Sequence, residues 1–224
     1  TFLVAKAYSH DRLLLGASPD EDPPYAPYSV WYTYWADDQD EPWAHSITRW
    51  WAVSCALLRS EKTMEKATAC MSNEGHVELS VKDKDEVEEK IPGAGVFSED
   101  AKGWGYMSSL KQIGDHLYAC GGAGQVYKRL GPNQWRHMDD GLLQKPDSEA
   151  RLLPDVIDGP HEKAIYLAGA VSVDGLPPFV YYWNGQAWHS ILLPDVAERI
   201  TAMHVASEQR IWLCGANGTL LVGN

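Results

Sequence analysis

A short phrase recurs along the chain: an apolar strand, a small or glycine-rich turn, a second strand, and usually a later aromatic followed by an aliphatic residue. Its copies read Leu13-Leu14-Leu15-Gly16-Ala17, Thr68-Ala69-Cys70-Met71-Ser72, Tyr118-Ala119-Cys120-Gly121-Gly122, Tyr166-Leu167-Ala168-Gly169-Ala170 and Trp212-Leu213-Cys214-Gly215-Ala216. With Leu15, Cys70, Cys120, Ala168 and Cys214 taken as equivalent, the steps are 55, 50, 48 and 46 residues. A period of that length in an all-strand pattern predicts one propeller blade per repeat. The expected fold class is all-β, a β-propeller of four-stranded antiparallel blades, with repeats near 1–47, 48–93, 104–141, 150–194 and, incomplete, 198–224.

Within each repeat the pattern predicts a first strand, at Phe2 to Tyr8, Thr48 to Leu58, Met107 to Ile113, Leu152 to Ile157 and Ile200 to Val205. A polar turn follows, such as Ser9-His10-Asp11, Gly114-Asp115-His116, Asp158-Gly159-Pro160 or Ser207-Glu208-Gln209, and then the recurring strand, which together make a hairpin. Third strands are expected at His76 to Val81, Gln125 to Arg129, Phe179 to Trp183 and Thr219 to Val222. Fourth strands are marked by Trp43 with Ile47, Trp135 with Met138 and Trp188 with Ile191.

Departures from the repeat are as informative as the repeat. Ser18 to Ser29 and Val171 to Pro178 are proline-containing insertions between second and third strands, expected to project as loops from one face because proline cannot serve the middle of a sheet. Arg59 to Lys66 has the composition of a helical turn or a polar loop. The fifth repeat stops after its third strand and the first residue is Thr1, so the sequence reads as a piece of a longer propeller or as a ring closed by unusual means. An unfinished edge of this kind invites self-association by strand pairing.

Charge narrows the partners. The chain carries 19 basic and 31 acidic residues, a net charge of -12. Direct nucleic acid binding is disfavoured, because neutralising phosphates needs clustered Lys and Arg. Much of the acid lies in three runs, Asp20 to Asp22, Asp37 to Glu41 and Asp83 to Glu89, which serve either as solvated surface or as a face for a basic partner. Apolar runs fall short of a membrane helix and no signal peptide opens the sequence. Cys70, Cys120 and Cys214 share one strand position, which suits small buried thiols in a reducing, cytoplasmic setting better than disulfides.

No catalytic pattern emerges. The eight histidines lack metal-site spacing, and there is neither a Cys-x-x-Cys nor a Gly-x-Ser-x-Gly elbow. Gly121-Gly122-Ala123-Gly124 precedes a strand, so it has no helix N-terminus with which to cradle phosphate. The reading is of a non-enzyme with no metal and no cofactor. Trp135, Trp188 and Trp212 occupy repeat slots and are expected to pack between blades. Tyr25, Tyr28, Trp31, Tyr32, Tyr34 and Trp35 begin inside a proline-rich loop flanked by acids, an arrangement that fits aromatic anchors within a charged rim. The alternative, that Trp31 and Tyr34 pack beneath the loop, stays open. The candidate partner-binding residues are Asp20, Glu21, Asp22, Tyr25, Tyr28, Trp31, Asp37, Asp38, Asp40, Glu41 and Asp174.

The unit from Leu117 to Arg129 followed by Trp135-Arg136-His137-Met138 resembles repeats of kelch, tectonin and neuraminidase-like propellers, through its paired glycines and later Tyr and Trp. The tyrosine-to-tryptophan spacing departs from kelch, and Ser172-Val173-Asp174-Gly175 is only a broken version of the sialidase aspartate box. Such repeats imply a fold and little about function. At family level the chain is also similar to acidic bacterial propellers that act as immunity proteins encoded beside secreted antibacterial toxins. That resemblance implies a noncatalytic protein binding a basic toxin such as a nuclease. A tectonin-type lectin and an assembly scaffold are the alternatives.

Overall fold

The structure is a computed structural model of the chain and describes residues 1–10, 12–18, 20, 28–36, 38–59, 66–81 and 86–223. Five antiparallel sheets follow one another along it. The first contains β1 (Phe2–Ser9), β2 (Arg12–Ala17), β3 (Ser29–Trp35) and β4 (Trp43–Thr48). The second contains β5 (Ala52–Arg59), β6 (Lys66–Ser72), β7 (His76–Val81) and β8 (Val87–Lys90). The third contains β9 (Met107–Ile113), β10 (His116–Gly121), β11 (Gln125–Gly131) and β12 (Gln134–His137). The fourth contains β13 (Leu152–His161), β14 (Ala164–Val171), β15 (Phe179–Trp183) and β16 (Trp188–Ile191), and the fifth β17 (Ile200–Ser207), β18 (Arg210–Gly215) and β19 (Leu220–Gly223). Each sheet is a meander, and the first strands β1, β5, β9, β13 and β17 lie side by side in that order, as the inner strands of a propeller do.

A bulge sets the register of every blade. The pairing of first and second strands skips a residue between Phe2 and Val4, Ala52 and Ser54, Met107 and Ser109, Pro154 and Val156, and Ile200 and Ala202. Just past it, Gly16, Met71, Cys120, Ala168 and Cys214 face Val4, Ser54, Ser109, Val156 and Ala202 on one side. Trp31, Val77, Val126, Val180 and Leu220 face them on the other. The equivalent residues are therefore Gly16 and Met71, not Leu15 and Cys70. In a strand, a shift of one residue sends the side chain to the opposite face. Cys70 accordingly packs back against Leu14 and Trp31 of the first blade, while Met71 packs forward with Met107, Leu110 and Ala119 of the third. Gly16 is required by this packing, since a Cβ there would lie 2.7 Å from the Trp31 ring.

Four apolar clusters result, one at each junction between successive blades. Cys55, Cys70 and Cys120 are buried free thiols; Cys214 is exposed, because the side of the fifth blade that carries it, with Leu220 and Val222, is uncovered. Trp135 and Trp188 pack against two of these clusters and reach back one blade, donating from Nε1 to the Glu89 carboxylate at 3.1 Å and to the Met138 carbonyl at 2.6 Å. Trp212 instead stacks on His204 within its own blade, 5.5 Å between ring centres.

Two segments differ from the sequence reading. Asp158-Gly159-Pro160 is not a turn: β13 continues through it to His161, and a bulge between Asp158 and His161 accommodates Pro160, which has no N–H to pair. Extending the strand buries the Asp158 carboxylate, which accepts from Lys111 Nζ of the third blade at 3.0 Å and from the Val205 N–H of the fifth at 3.1 Å. One side chain thereby ties three blades. Thr48 closes β4 and does not open the next blade; β5 begins at Ala52, whose N–H is held by the Ser29 hydroxyl at 2.9 Å. Residues 60–65, the core of the segment from Arg59 to Lys66, lie outside the described residues.

The third acidic run is partly structural. Val87-Glu88-Glu89-Lys90 is the fourth strand of the second blade, and Glu89 is buried beneath a bidentate bond from Arg129 of the third, at 2.8 and 2.6 Å. Burial alone would raise its pKa; the hydrogen bonds and charge of Arg129 outweigh that and hold the carboxyl below its usual range. Removing one partner of a buried pair strands the other, so Glu89→Gln is expected to lower unfolding free energy by about 3 kcal/mol at pH 7, read as a fall in urea midpoint at constant slope. The Glu89 contribution is complete above the ordinary glutamate pKa and disappears as pH falls through the depressed folded value.

Glu78 has the opposite sign: burial, then the Glu86 and Glu88 carboxylates, push it up to about 7. Its folded form holds a proton that the unfolded chain releases, so this group destabilises increasingly from about pH 4.5 to pH 7 and constantly above. Glu78→Gln is therefore expected to raise the melting temperature at pH 8 and to leave it nearly unchanged at pH 4, by thermal denaturation.

Candidate partner-binding face

In a meander, the turns from first to second and from third to fourth strand emerge at one end of the blade. Turns from second to third strand, and the connections that carry the fourth strand to the next blade, emerge at the other. Both proline-containing insertions are of the latter kind, between β2 and β3 and between β14 and β15. Their points of attachment share one end of the blades, as expected. Asp38 to Glu41 lie between β3 and β4 and so at the opposite end, one strand length or roughly 20 Å away. The acidic residues that read as one rim in sequence are thus split between two faces.

Individual residues sort accordingly. Asp20 is exposed near the mouth of the first insertion and accepts from the Thr1 hydroxyl at 2.7 Å. Tyr28 is half-buried at the loop's return. Trp31 is 3% exposed, with its Nε1 donating to the Thr48 hydroxyl at 3.3 Å, so it is interblade core and not a contact residue. The physical reason is its position opposite Gly16, where the missing side chain makes room for the indole. At the other end, Asp38 caps its own turn by accepting the N–H groups of Asp40 and Glu41 at 3.2 and 3.0 Å, leaving Asp40 and Glu41 exposed. Asp174 is exposed on the insertion of the fourth blade beside Val173 and Leu176. Glu21, Asp22, Tyr25 and Asp37 lie outside the described residues.

Sequence reasoning missed the longest described connection of this face, residues 91–106 between β8 and β9. Its signal was present as the glycines of Pro92-Gly93-Ala94-Gly95 and Gly103-Trp104-Gly105, in the stretch between the second and third repeats. This segment has almost no regular structure, yet it is tied along its length. The Glu74 carboxylate, from the turn between β6 and β7, accepts the N–H groups of Val96 and Phe97 at 2.9 Å, that of Ser98 at 3.2 Å, and the Ser98 hydroxyl at 3.2 Å. Gly95 lies against that carboxylate at φ +95, where a Cβ would meet Glu74 Oε2 at 2.3 Å. Lys90 Nζ donates to the carbonyls of Ile91 and Ala94, and Asp100 receives the Gly93 N–H at 2.6 Å. Gln125 reaches the Gly105 carbonyl at 3.2 Å, and the Arg151 guanidinium the carbonyls of Gly103 and Trp104.

The same logic repeats around the face. Each connection between blades is bonded to a neighbouring turn: Gln144 to the Ala123 carbonyl at 2.9 Å, Arg151 to the Ser172 hydroxyl at 2.8 Å, and Glu198 to the N–H of Thr219 at 3.1 Å. Several large exposed apolar side chains also lie in the turns and connections of this end: Val96, Phe97, Tyr106, Val173, Leu176 and Leu192. Among the described residues, no group of three or more His, Cys, Asp or Glu side chains could hold a metal ion, and no helix is long and apolar enough to cross a membrane. What this face offers chemically is preformed, acid-bordered apolar surface.

Comparison with known structures agrees on architecture. YCF48 from Cyanidioschyzon merolae superposes with a TM-score of 0.60 over 100% of this chain and 66% of its own, at 12% identity. The WD40 β-propeller domain of Doa1 superposes with a TM-score of 0.53 over 99% of this chain and 64% of its own, at 10% identity. The chain is a β-propeller. No protein-family model matches it. In sequence, 137 residues, 61% of the chain, are 34% identical to the Immune protein Tsi7 of Pseudomonas aeruginosa, and the match spans 41% of that protein's length. Over that span the propeller therefore resembles an immunity protein in sequence.

The anchoring of 91–106 by one carboxylate can be tested directly. Bonds to a charged acceptor contribute about 1.5–3 kcal/mol each, so Glu74→Ala is expected to speed amide hydrogen exchange at Val96, Phe97 and Ser98 by tenfold or more, while β9 and β10 keep their protection.

Proposed function

We propose that this propeller is a noncatalytic bacterial immunity protein that acts in the cytoplasm by binding and inhibiting a basic toxin, with a nuclease as the toxin class that fits best. The observation that carries the reading is the 34% identity to the Immune protein Tsi7 over 61% of the chain. The net charge of -12 supports it, because a nuclease cleft built to attract polyanions is also attracted by carboxylates on a protein. The binding surface is the face that carries the insertions and the connections between blades. Asp20, Glu21 and Asp22 on the first insertion and Asp174 on the fourth-blade insertion steer the encounter there. Asp38, Asp40 and Glu41 form an acidic edge at the opposite end and take no direct part.

Co-expression with the neighbouring toxin gene, followed by surface-immobilised kinetics over a salt series, tests the reading. The chain is expected to protect cells and to bind the toxin with an association rate that falls steeply with salt. Reversing Asp20, Glu21 and Asp22 to Lys is expected to slow association about tenfold at low ionic strength and to flatten the salt dependence. The same reversal at Asp38, Asp40 and Glu41 should change it by less than about twofold. Absence of toxin binding by the wild-type chain, together with reproducible binding on a glycan array, would replace this reading with the lectin.

A further inference from the structure

Phe97 is 83% exposed, and its ring sits 6.4 Å from that of Tyr106, which is 42% exposed, beside Val96 at 42%. Single exposed apolar residues are ordinary on protein surfaces. This group differs in three respects. It is contiguous, joining two separated parts of one connection, Val96-Phe97 and Tyr106. It is displayed on backbone that cannot swing away, because the N–H groups of Val96 and Phe97 themselves are fixed on the Glu74 carboxylate. And it projects from a segment of 16 residues without strands or helices beyond one isolated bridge, Gly95 to Gly105, a length at which an ordered loop usually has a binding role.

We infer that Val96, Phe97 and Tyr106 form a preorganised apolar knob that enters a pocket on the partner protein, with Phe97 as its central anchor. The inference rests on the immunity reading above and names where the toxin is gripped. An aromatic anchor contributes most when its backbone is ordered before binding, since little conformational entropy remains to be lost. The surroundings specify the pocket's rim. Glu99 and Asp100 follow the knob directly, and the next connection lies alongside, with Pro146 3.3 Å from where a Cβ of Gly103 would stand, carrying Asp140, Asp147 and Glu149. Lys90 pairs with Asp100 at 3.7 Å, so that Glu99, Asp140, Asp147 and Glu149 stand against Lys102, Lys145 and Arg151 and the border is acidic on balance. The matching surface is an apolar pocket bordered by Lys and Arg, which is the chemistry of a basic protein. A sugar is a poorer fit: Phe97 and Tyr106 are tilted 53° to each other and form a knob, where a pyranose stacks on a flat platform.

The test uses the full chain and the toxin encoded beside it. Phe97→Ala and Phe97→Asp are expected to fold with unchanged melting temperature, because the side chain is exposed, and to raise the toxin dissociation rate about 30-fold or more. Tyr106→Ala should raise it less, and Phe97→Leu should restore most of the wild-type lifetime. The salt dependence of association should stay at the wild-type value in all of them, which separates this grip from the steering by Asp20 to Asp22. Wild-type binding with an unchanged dissociation rate in both Phe97 variants would overturn the knob and leave the immunity reading standing. Failure of the wild-type chain to bind the toxin would overturn both. Loss of glycan binding in Phe97→Ala without effect on the toxin would assign the rings to a sugar instead.

Discussion

Each blade of this propeller hides a face against the next, and the two-residue period of a strand decides which side chain goes to which neighbour. Along β6, Ala69 and Met71 pack forward into the junction with the third blade, while Cys70 between them packs back toward the first. Along β10, Tyr118 and Cys120 go forward and Ala119 goes back. Among the described residues no sheet owns a core of its own; the cores are the junctions. A side chain's burial therefore depends on having a blade on both sides, and Cys214 is exposed while Cys120, at the same register, is fully buried. The bulge that recurs beside this position locks the phase, so the forward and backward sets of a blade cannot exchange without breaking the junctions that blade makes.

This phase explains both the success and the error of reading the repeat from sequence. The strands and the meander were legible because apolar runs, glycine turns and late tryptophans recur at a nearly constant interval. Their register was not, because Leu15 and Gly16, or Cys70 and Met71, are equally good apolar or small residues, and only the partner strand distinguishes them. The missed fourth strand of the second blade has a similar cause. Val87-Glu88-Glu89-Lys90 looks like solvated charge until Arg129, forty residues on, supplies the counter-ion that lets Glu89 be buried. Asp158 is the same case on the inner strands, where Lys111 and the Val205 N–H turn an apparent turn residue into a three-blade tie. Non-local pairing of charge leaves no local signal.

The face was legible in part for the same reason. Insertion sites follow from the repeat, so the two proline-containing loops could be placed at one end. Whether two acidic segments share an end follows only from strand parity: one extra strand between them puts Asp20 and Asp38 at opposite ends of β3. Exposure within an irregular segment is harder still. Nothing in Gly95-Val96-Phe97-Ser98 says that its amides are gathered by a glutamate twenty-odd residues upstream, or that Phe97 consequently faces water and not the core.

The resulting arrangement separates two demands that conflict in a flexible binder. Fast capture of a charged partner asks for carboxylates spread over a face, where long-range attraction tolerates loose geometry. Long residence asks for a few apolar groups fixed to a fraction of an ångström, where looseness costs entropy at every encounter. A propeller meets both, because stability resides in junctions to which a connection adds only a few side chains, as 91–106 adds Ile91 and Ala94, while polar groups bind down the rest of it. Glu74 does this for 91–106: the order of the Phe97 backbone is established when the chain folds, before any partner arrives. On the proposed reading, acids set how often the toxin is met and the knob sets how long it is held. The two could then change independently, as an immunity protein that must follow a changing toxin requires.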